Sequence, residues 1–263
     1  MASVKSTWFS DKTRHQFCVA LCDADYSMRF SEVFDGFLVC ACGLCEQAAN
    51  MASGNARCEK IEDEVKAFQK RVKKPEKLSE ALGILVNGLT VTPSDFLGSV
   101  MMEMEQGDVA FRGQCFTPKE ISILMAELTL ADAVPELGRT KLLNECSCGG
   151  GSMIIQTSEI LKRKGFLPWN YHWYANDVDW RCYAMTYIQT TLLGIPCVVG
   201  HGNTLSMKFQ KIRRNMISVL HPERRASRAS GAPAVTSVVE VSDEGDVLDI
   251  AADRILRQTS LFD

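Results

Sequence analysis

The hydrophobic pattern changes rhythm near the middle of the chain. In 12–49 apolar residues recur at three- and four-residue spacing: Phe17, Leu21, Met28, Val33, Phe37, Leu38 and Leu44. Leu78, Leu82, Ile84, Leu85 and Leu89 repeat it over 76–90. That spacing lines one face of an α-helix. With few breakers in 12–49, the pattern predicts helix through that stretch. "MASGNAR" (51–57) reads as a loop, and a charged helix fills about 59–72. A short helix follows Thr92-Pro93 and stops at Gly107.

Beyond residue 140 the pattern becomes strand, helix, strand, helix, strand. "KLLNEC" is a short apolar run that meets glycines, so it reads as a buried strand. "SMIIQTSEILKRKG" has helical spacing and ends on Gly165. "YHWYANDVD" is an aromatic-rich strand closed by acids, and "WRCYAMTYIQTTLLG" is helical again and stops at Gly194. "IPCVVGHGNTL" is the third strand. Each crossover is long enough for a right-handed parallel unit. The expected architecture is α/β, a doubly wound, Rossmann-like sheet behind a helical N-terminal region. The signal weakens after Leu205. "KFQKIRRNMISVL" is a basic amphipathic stretch and "HPERRASRASGAPAVTS" has linker composition. "VTSVVEVSDEGDVLDI" suggests two short strands about a turn, and "AADRILRQTSLFD" a short helix or tail.

Composition adds limits. The 263 residues are 46% apolar and 23% charged, with a formal net charge of -3. Bulk charge does not mark a nucleic-acid protein, so any such contact must come from a local patch. No apolar run reaches the length of a membrane span. The first residues are too polar for a secretory leader, so the expected location is cytoplasmic. In a reducing compartment the eleven cysteines should be thiols rather than disulfides. "CACGLC" (Cys40, Cys42, Cys45) sits in a helical apolar run, where buried packing outweighs zinc. His172 and His201 have no metal partners at ligand spacing.

Chemistry gathers at the three strand ends. The first ends in Glu145-Cys146-Ser147-Cys148-Gly149-Gly150-Gly151, the second in Asn176-Asp177-Val178-Asp179, the third in Gly202-Asn203-Thr204. Ligands of open α/β sheets bind outside the carboxyl ends of the strands. Glycines there let a ligand approach backbone, and the next helix begins with free N–H groups. An acid after the second strand can accept two hydrogen bonds from a ribose diol, and Asn203 offers a donor and an acceptor to an adenine edge. Together these describe a nucleoside-shaped pocket. Plain tight turns and surface acids are the competing reading.

The order of these motifs resembles the N6-adenine DNA methyltransferases of the type I restriction-modification methylation-subunit kind, over about residues 90–205. That family carries D-P-x-C-G-[ST]-G after its first strand. Here Glu145 holds the acid position, Cys146 replaces proline, and Cys148, Gly149 and Gly151 match. "MTYIQTTLLGI" is similar to the family's helix after the second strand. "RGQCFTPKEISILMAEL", with Gly113, Gln114, Phe116, Thr117 and Pro118, resembles its G-Q-[FY]-[FY]-T-P stretch. The resemblance implies S-adenosylmethionine binding. Glu145, Cys148, Gly149 and Gly151 would line the cofactor, with Asp177 on the ribose, Asn203 near adenine, and Phe116 and Thr117 at the methionine end. A sulfonium favours an acid or a π-face, which Glu145 and Phe116 would supply. Thr117 has a second reading as cap of a helix begun by Pro118. Cys148 reads as packing rather than nucleophile.

One family feature is missing. The [DN]-P-P-[FYW] motif that holds a flipped adenine has no counterpart, for the chain contains no Pro-Pro. No catalytic residue can be named, and 206–263 is short for the rest of a methyltransferase sheet. The expected organisation is a helical region (1–110), a cofactor-binding domain (111–221) and a loop with C-terminal strands (222–263). DNA is the expected partner, through "KFQKIRR" and "ERRASR", alongside a partner subunit or a second copy. A catalytically inactive accessory protein on the same fold is the alternative.

Overall fold

The computed structural model describes residues 11–105, 116–221 and 238–240. Six helices come first: α1 (Lys12–Ala24), α2 (Phe30–Ala52), α3 (Glu59–Gln69), α4 (Glu76–Val91), α5 (Phe96–Glu105) and α6 (Lys119–Thr129). The sheet region follows as β1 (Lys141–Glu145), α7 (Ser152–Arg163), β2 (Tyr171–Asp177), α8 (Trp180–Leu192), β3 (Cys197–Asn203), β4 (Lys208–Arg214), α9 (Met216–Val219) and β5 (Val238–Glu240).

The expected helix over 12–49 is two helices. Asp25, 4% exposed, accepts from the Ser27 amide (2.8 Å) and hydroxyl (2.6 Å). This local turn competes with helix continuation. Phe17 of α1 then meets the rings of Phe37 on α2 (5.1 Å) and Phe96 on α5 (5.4 Å) edge-on. Such pairs fix orientation as well as burying area. Thr92 closes α4 rather than opening α5, whose helix begins at Phe96.

The sheet order is β1-β2-β3-β4-β5. β1, β2 and β3 are parallel, with Glu145 beside Ala175 and Asp177 beside His201. β4 and β5 run antiparallel to their neighbours. The two crossovers advance in the same direction, so right-handedness puts α7 and α8 on one face. The reversal of strand order expected of a doubly wound sheet is not found among the described residues. The buried core is continuous across α1, α2, α4, α5, α7, α8 and the parallel strands.

The stretch "KFQKIRR" forms β4, and its charges do not all face solvent. Lys211 Nζ lies 2.5 Å and Arg213 Nε 3.8 Å from the carboxylate of Glu46 on α2. Glu46 is 3% exposed and also accepts from Tyr183 Oη (3.0 Å). Nearby, Arg181 grips Asp35 with two hydrogen bonds of 2.5 and 2.6 Å. These pairs lock α2 to α8 and to the far side of the sheet. The cysteines of α2 are buried, and among the described residues no group of His, Cys, Asp or Glu is placed to hold a metal.

Removing one partner of a buried charge cluster leaves the others unpaired. Glu46→Ala should therefore lower unfolding free energy by about 3 kcal/mol, measured by urea denaturation.

Candidate functional site

The loop between β1 and α7 is built by its neighbours. The Cys148 amide donates to Asn176 O (2.9 Å), continuing the β1–β2 ladder, and the Gly151 amide donates to Cys148 O (2.8 Å). Gly149 N donates to Asp177 Oδ2 (2.9 Å). From α8, Thr186 Oγ1 donates to Gly149 O (2.9 Å) and Gln189 Nε2 to Gly150 O (2.7 Å). Thr204 Oγ1, just past β3, donates to Cys146 O (2.8 Å). Gly149 and Gly151 sit at φ +53 and +97, where a Cβ is strained. Glycine at these two positions is what lets the six residues 146–151 turn from strand to helix.

The strand ends thus meet. Asp177, 8% exposed, ties β2 to the loop through Gly149 and accepts from the Asp179 amide with its other oxygen (2.9 Å). Each oxygen keeps a second acceptor direction. Asn176 bonds across to the third strand, donating to Gly202 O (2.9 Å) and to Thr204 Oγ1 (2.5 Å). Phe116 reaches the same loop. A Cβ placed on Gly149 would lie 2.8 Å from its ring. Thr117 follows it, half-buried, but is not a helix cap. Pro118 occupies the cap position of α6, without a side-chain cap bond. Gly113 and Gln114 lie outside the described residues.

Two expected residues are placed differently from the simplest reading. Asn203 stands at the same end of the sheet but is exposed, and its Oδ1 accepts from the amides of Leu205 (2.9 Å) and Ser206 (3.1 Å). Its acceptor closes its own turn, which leaves the amide nitrogen as the group to offer a ligand. Gly149 N likewise already donates to Asp177. Glu145 is half-buried at the end of β1 and accepts weakly from the Ser147 amide (3.3 Å). Burial, with Asp177 adding repulsion, raises its pKa above the usual carboxylate value. Two acids at one strand-end cleft make it a cation-favouring surface. Cys148 is buried, and burial pushes its thiol pKa well up, so it packs as an inert thiol. His172 is buried against Ser218 Oγ (2.7 Å). His201 Nε2 lies 3.2 Å from Val178 O.

Sequence reasoning missed Asp95, Thr186 and Gln189, and named Asn176 and Thr204 at the strand ends without giving them a role. Asp95 precedes α5, is buried, and accepts from Gly98 N (2.8 Å) and Gln189 Nε2 (3.0 Å). Gln189 Oε1 in turn accepts from the Phe96 and Leu97 amides (2.8 and 3.1 Å). Asp95 also abuts Gly150, where any Cβ would overlap its carboxylate. The run of uncharged polar residues in α8, Thr186 and Gln189-Thr190-Thr191, all buried, was the available signal.

A strand–glycine loop–helix with an acid ending the next parallel strand defines a Rossmann-like class of fold. Within it, residues 98–221 match the family model described as N-6 DNA Methylase. A search of curated proteins gave no match. Among solved structures, the chain is similar to one described as a class I S-adenosylmethionine-dependent methyltransferase from Listeria monocytogenes. The identity is 13% and the TM-score 0.38, covering 74% of this chain and 54% of the other. It is also similar to a type I restriction-modification system methyltransferase subunit from Streptococcus thermophilus. There the identity is 18% and the TM-score 0.34, covering 76% of this chain and 45% of the other. The chain thus spans about half the length of each.

Two tests address the loop. Gly150→Ala should cost about 1–3 kcal/mol through overpacking against Asp95. Gly83→Ala, in α4 with open space around it, should stabilise by about 0.4–1 kcal/mol. Urea melts of both variants compare the two directly. Burial raises the Asp95 pKa. An acid raised on folding stabilises most below its unfolded pKa, about 4, and that contribution fades as pH rises through the folded value. Asp95→Asn keeps the acceptor for Gly98 and Gln189 and should remove this part of the pH dependence, read as urea midpoints across a pH series.

Proposed function

We propose that the chain is an S-adenosylmethionine-dependent DNA adenine-N6 methyltransferase-like protein, with the cofactor at the carboxyl ends of β1, β2 and β3. The observation that carries this reading is the joining of the β1 loop to Asp177 inside the region that matches the N-6 DNA methylase family model. The residues suit the cofactor chemically. Glycines at 149 and 151 keep side chains out of the turn, and Asp177 retains acceptor capacity for a ribose diol. Glu145 supplies negative charge, and Phe116, packed against the same loop, offers a π-face to a sulfonium. Thr117 adds a hydroxyl beside Phe116. Cys148 supports the loop from beneath, and Asn203 offers its amide nitrogen toward an adenine. When bound, the cofactor supplies the methyl group, and these residues hold and orient it.

DNA as the methyl acceptor follows from the family alone. Lys211 and Arg213 are engaged with Glu46, so phosphate contacts fall to other basic residues. No helix among the described residues is long and apolar enough to cross a membrane. A soluble, cytoplasmic protein fits this reading.

Titration calorimetry with S-adenosylmethionine tests the proposal. Wild type should bind, and Asp177→Asn, which keeps an acceptor for Gly149 N while losing the charge, should weaken binding about tenfold or more. Absence of binding heat for wild type overturns the cofactor reading. Labelled methyl transfer to unmodified DNA then tests the acceptor, and binding without transfer overturns the enzymatic part.

A further inference from the structure

At the outer side of β1 two features coincide. Among the described residues no strand pairs with that edge, for β1 ends the sheet order. The helix α6 packs on α7 through Ser122 and Ser152 (2.9 Å between hydroxyls), and with α8 over the β2–β3 side of that layer the vacant place for α6 is the β1 side of α7. The opposite side of α6 carries Ile121, Leu124, Met125 and Leu128, exposed by 46, 55, 49 and 72%. Their i, i+3, i+4, i+7 spacing makes one continuous stripe. An open strand edge next to an exposed apolar helix face is unusual for a monomer, since each alone invites association.

We propose that the occupant is a second copy of this chain, paired about a two-fold axis through Leu143 with β1 antiparallel to the partner's β1. The charge pattern of the strand argues for this choice. β1 reads Lys141-Leu142-Leu143-Asn144-Glu145. Antiparallel pairing centred on Leu143 sets Lys141 opposite the partner's Glu145, and Glu145 opposite the partner's Lys141. Parallel self-pairing would instead set like charges side by side.

Backbone geometry agrees. The Lys141 amide donates inward to Asn170 O (2.8 Å). By alternation, Leu143 and Glu145 also face β2, and the amides and carbonyls of Leu142 and Asn144 face outward. In the proposed register Leu142 lies opposite the partner's Asn144, a hydrogen-bonding pair, and the two-fold repeats it. The charged pairs then occupy the close, non-hydrogen-bonded sites, where cross-strand side chains interact best. Leu143 lies beside Trp173, whose indole donates to Ser158 of α7 (3.0 Å). Lys141, Leu143 and Glu145 therefore project to the helical face. A two-fold perpendicular to the sheet keeps that face on one side, so the two α6 stripes meet directly above the strand junction. The interface is isologous and closes on itself. Glu145 also borders the proposed cofactor cleft, so the oligomeric state is read without cofactor, and Lys141→Glu tests the interface through a residue outside that cleft.

Sedimentation velocity of the full chain over a concentration series tests this. Wild type should sediment as a dimer. Leu124→Glu with Leu128→Glu, both at exposed positions, should give a monomer with unchanged circular dichroism. Lys141→Glu and Glu145→Lys should each weaken the dimer about tenfold or more, since the two-fold makes each substitution disrupt two interfacial charge pairs. The double variant, which restores opposite charges across the two-fold, should recover most of the affinity. If Glu145→Lys fails to fold, Lys141→Glu and the stripe variant still decide. A wild type that stays monomeric at every concentration overturns the proposal, as does a dimer unaffected by the stripe variant or by Lys141→Glu.

Discussion

Gln189 is the side chain on which the strand-end cleft depends. It is fully buried in α8 and uses both ends of its amide. The nitrogen donates to Gly150 O and to Asp95, and the oxygen accepts from the first amides of α5. One residue thus joins the glycine loop, the crossover helix and the helical half. The inverse constraint comes from Gly150, where only a hydrogen leaves room for Asp95. A buried polar network of this kind is costly unless every member is satisfied. Here the loop carbonyls and the α5 amides are the partners that satisfy it.

This arrangement explains why the loop is already shaped without a ligand. Its carbonyls at 146, 149 and 150 accept from Thr204, Thr186 and Gln189, and its amide at 149 is held by Asp177. A preorganised loop loses less entropy on binding. The same bonds change the character of the site. Gly149 does not present a bare amide, and the acids at 145 and 177 and the Phe116 ring stand about the same loop. The cleft is a carboxylate-lined surface, suited to hydroxyls and positive charge.

Much of the second half was legible as sequence. Gly165 and Gly194 follow α7 and α8 directly, and the bounds of β2 and β3 fall within the apolar runs that predicted them. Those signals are local, since periodicity and turn chemistry act within a few residues. Three readings changed, two through side-chain and proline chemistry that periodicity does not see and one through a distant contact. The helix over 12–49 breaks because Asp25 finds Ser27, a bond that periodicity does not see. "KFQKIRR" looks like a solvated basic face, yet Lys211 and Arg213 turn inward to a carboxylate far away in sequence. Thr117 looks like a cap, yet Pro118 takes that place.

By itself the sequence determined the order of strands and helices, the glycine turn, and the acid that ends the second strand, because each is written in neighbouring residues. Tertiary structure decided which groups remain open for binding. It folded the acceptor of Asn203 into a turn, spent the Gly149 amide on Asp177, and brought Asp95 and Gln189 beneath the loop from distant segments. It also left the β1 edge and the α6 stripe exposed together. Hydrogen-bond partners and solvent exposure depend on which surfaces meet in space, and no local window of sequence contains that information.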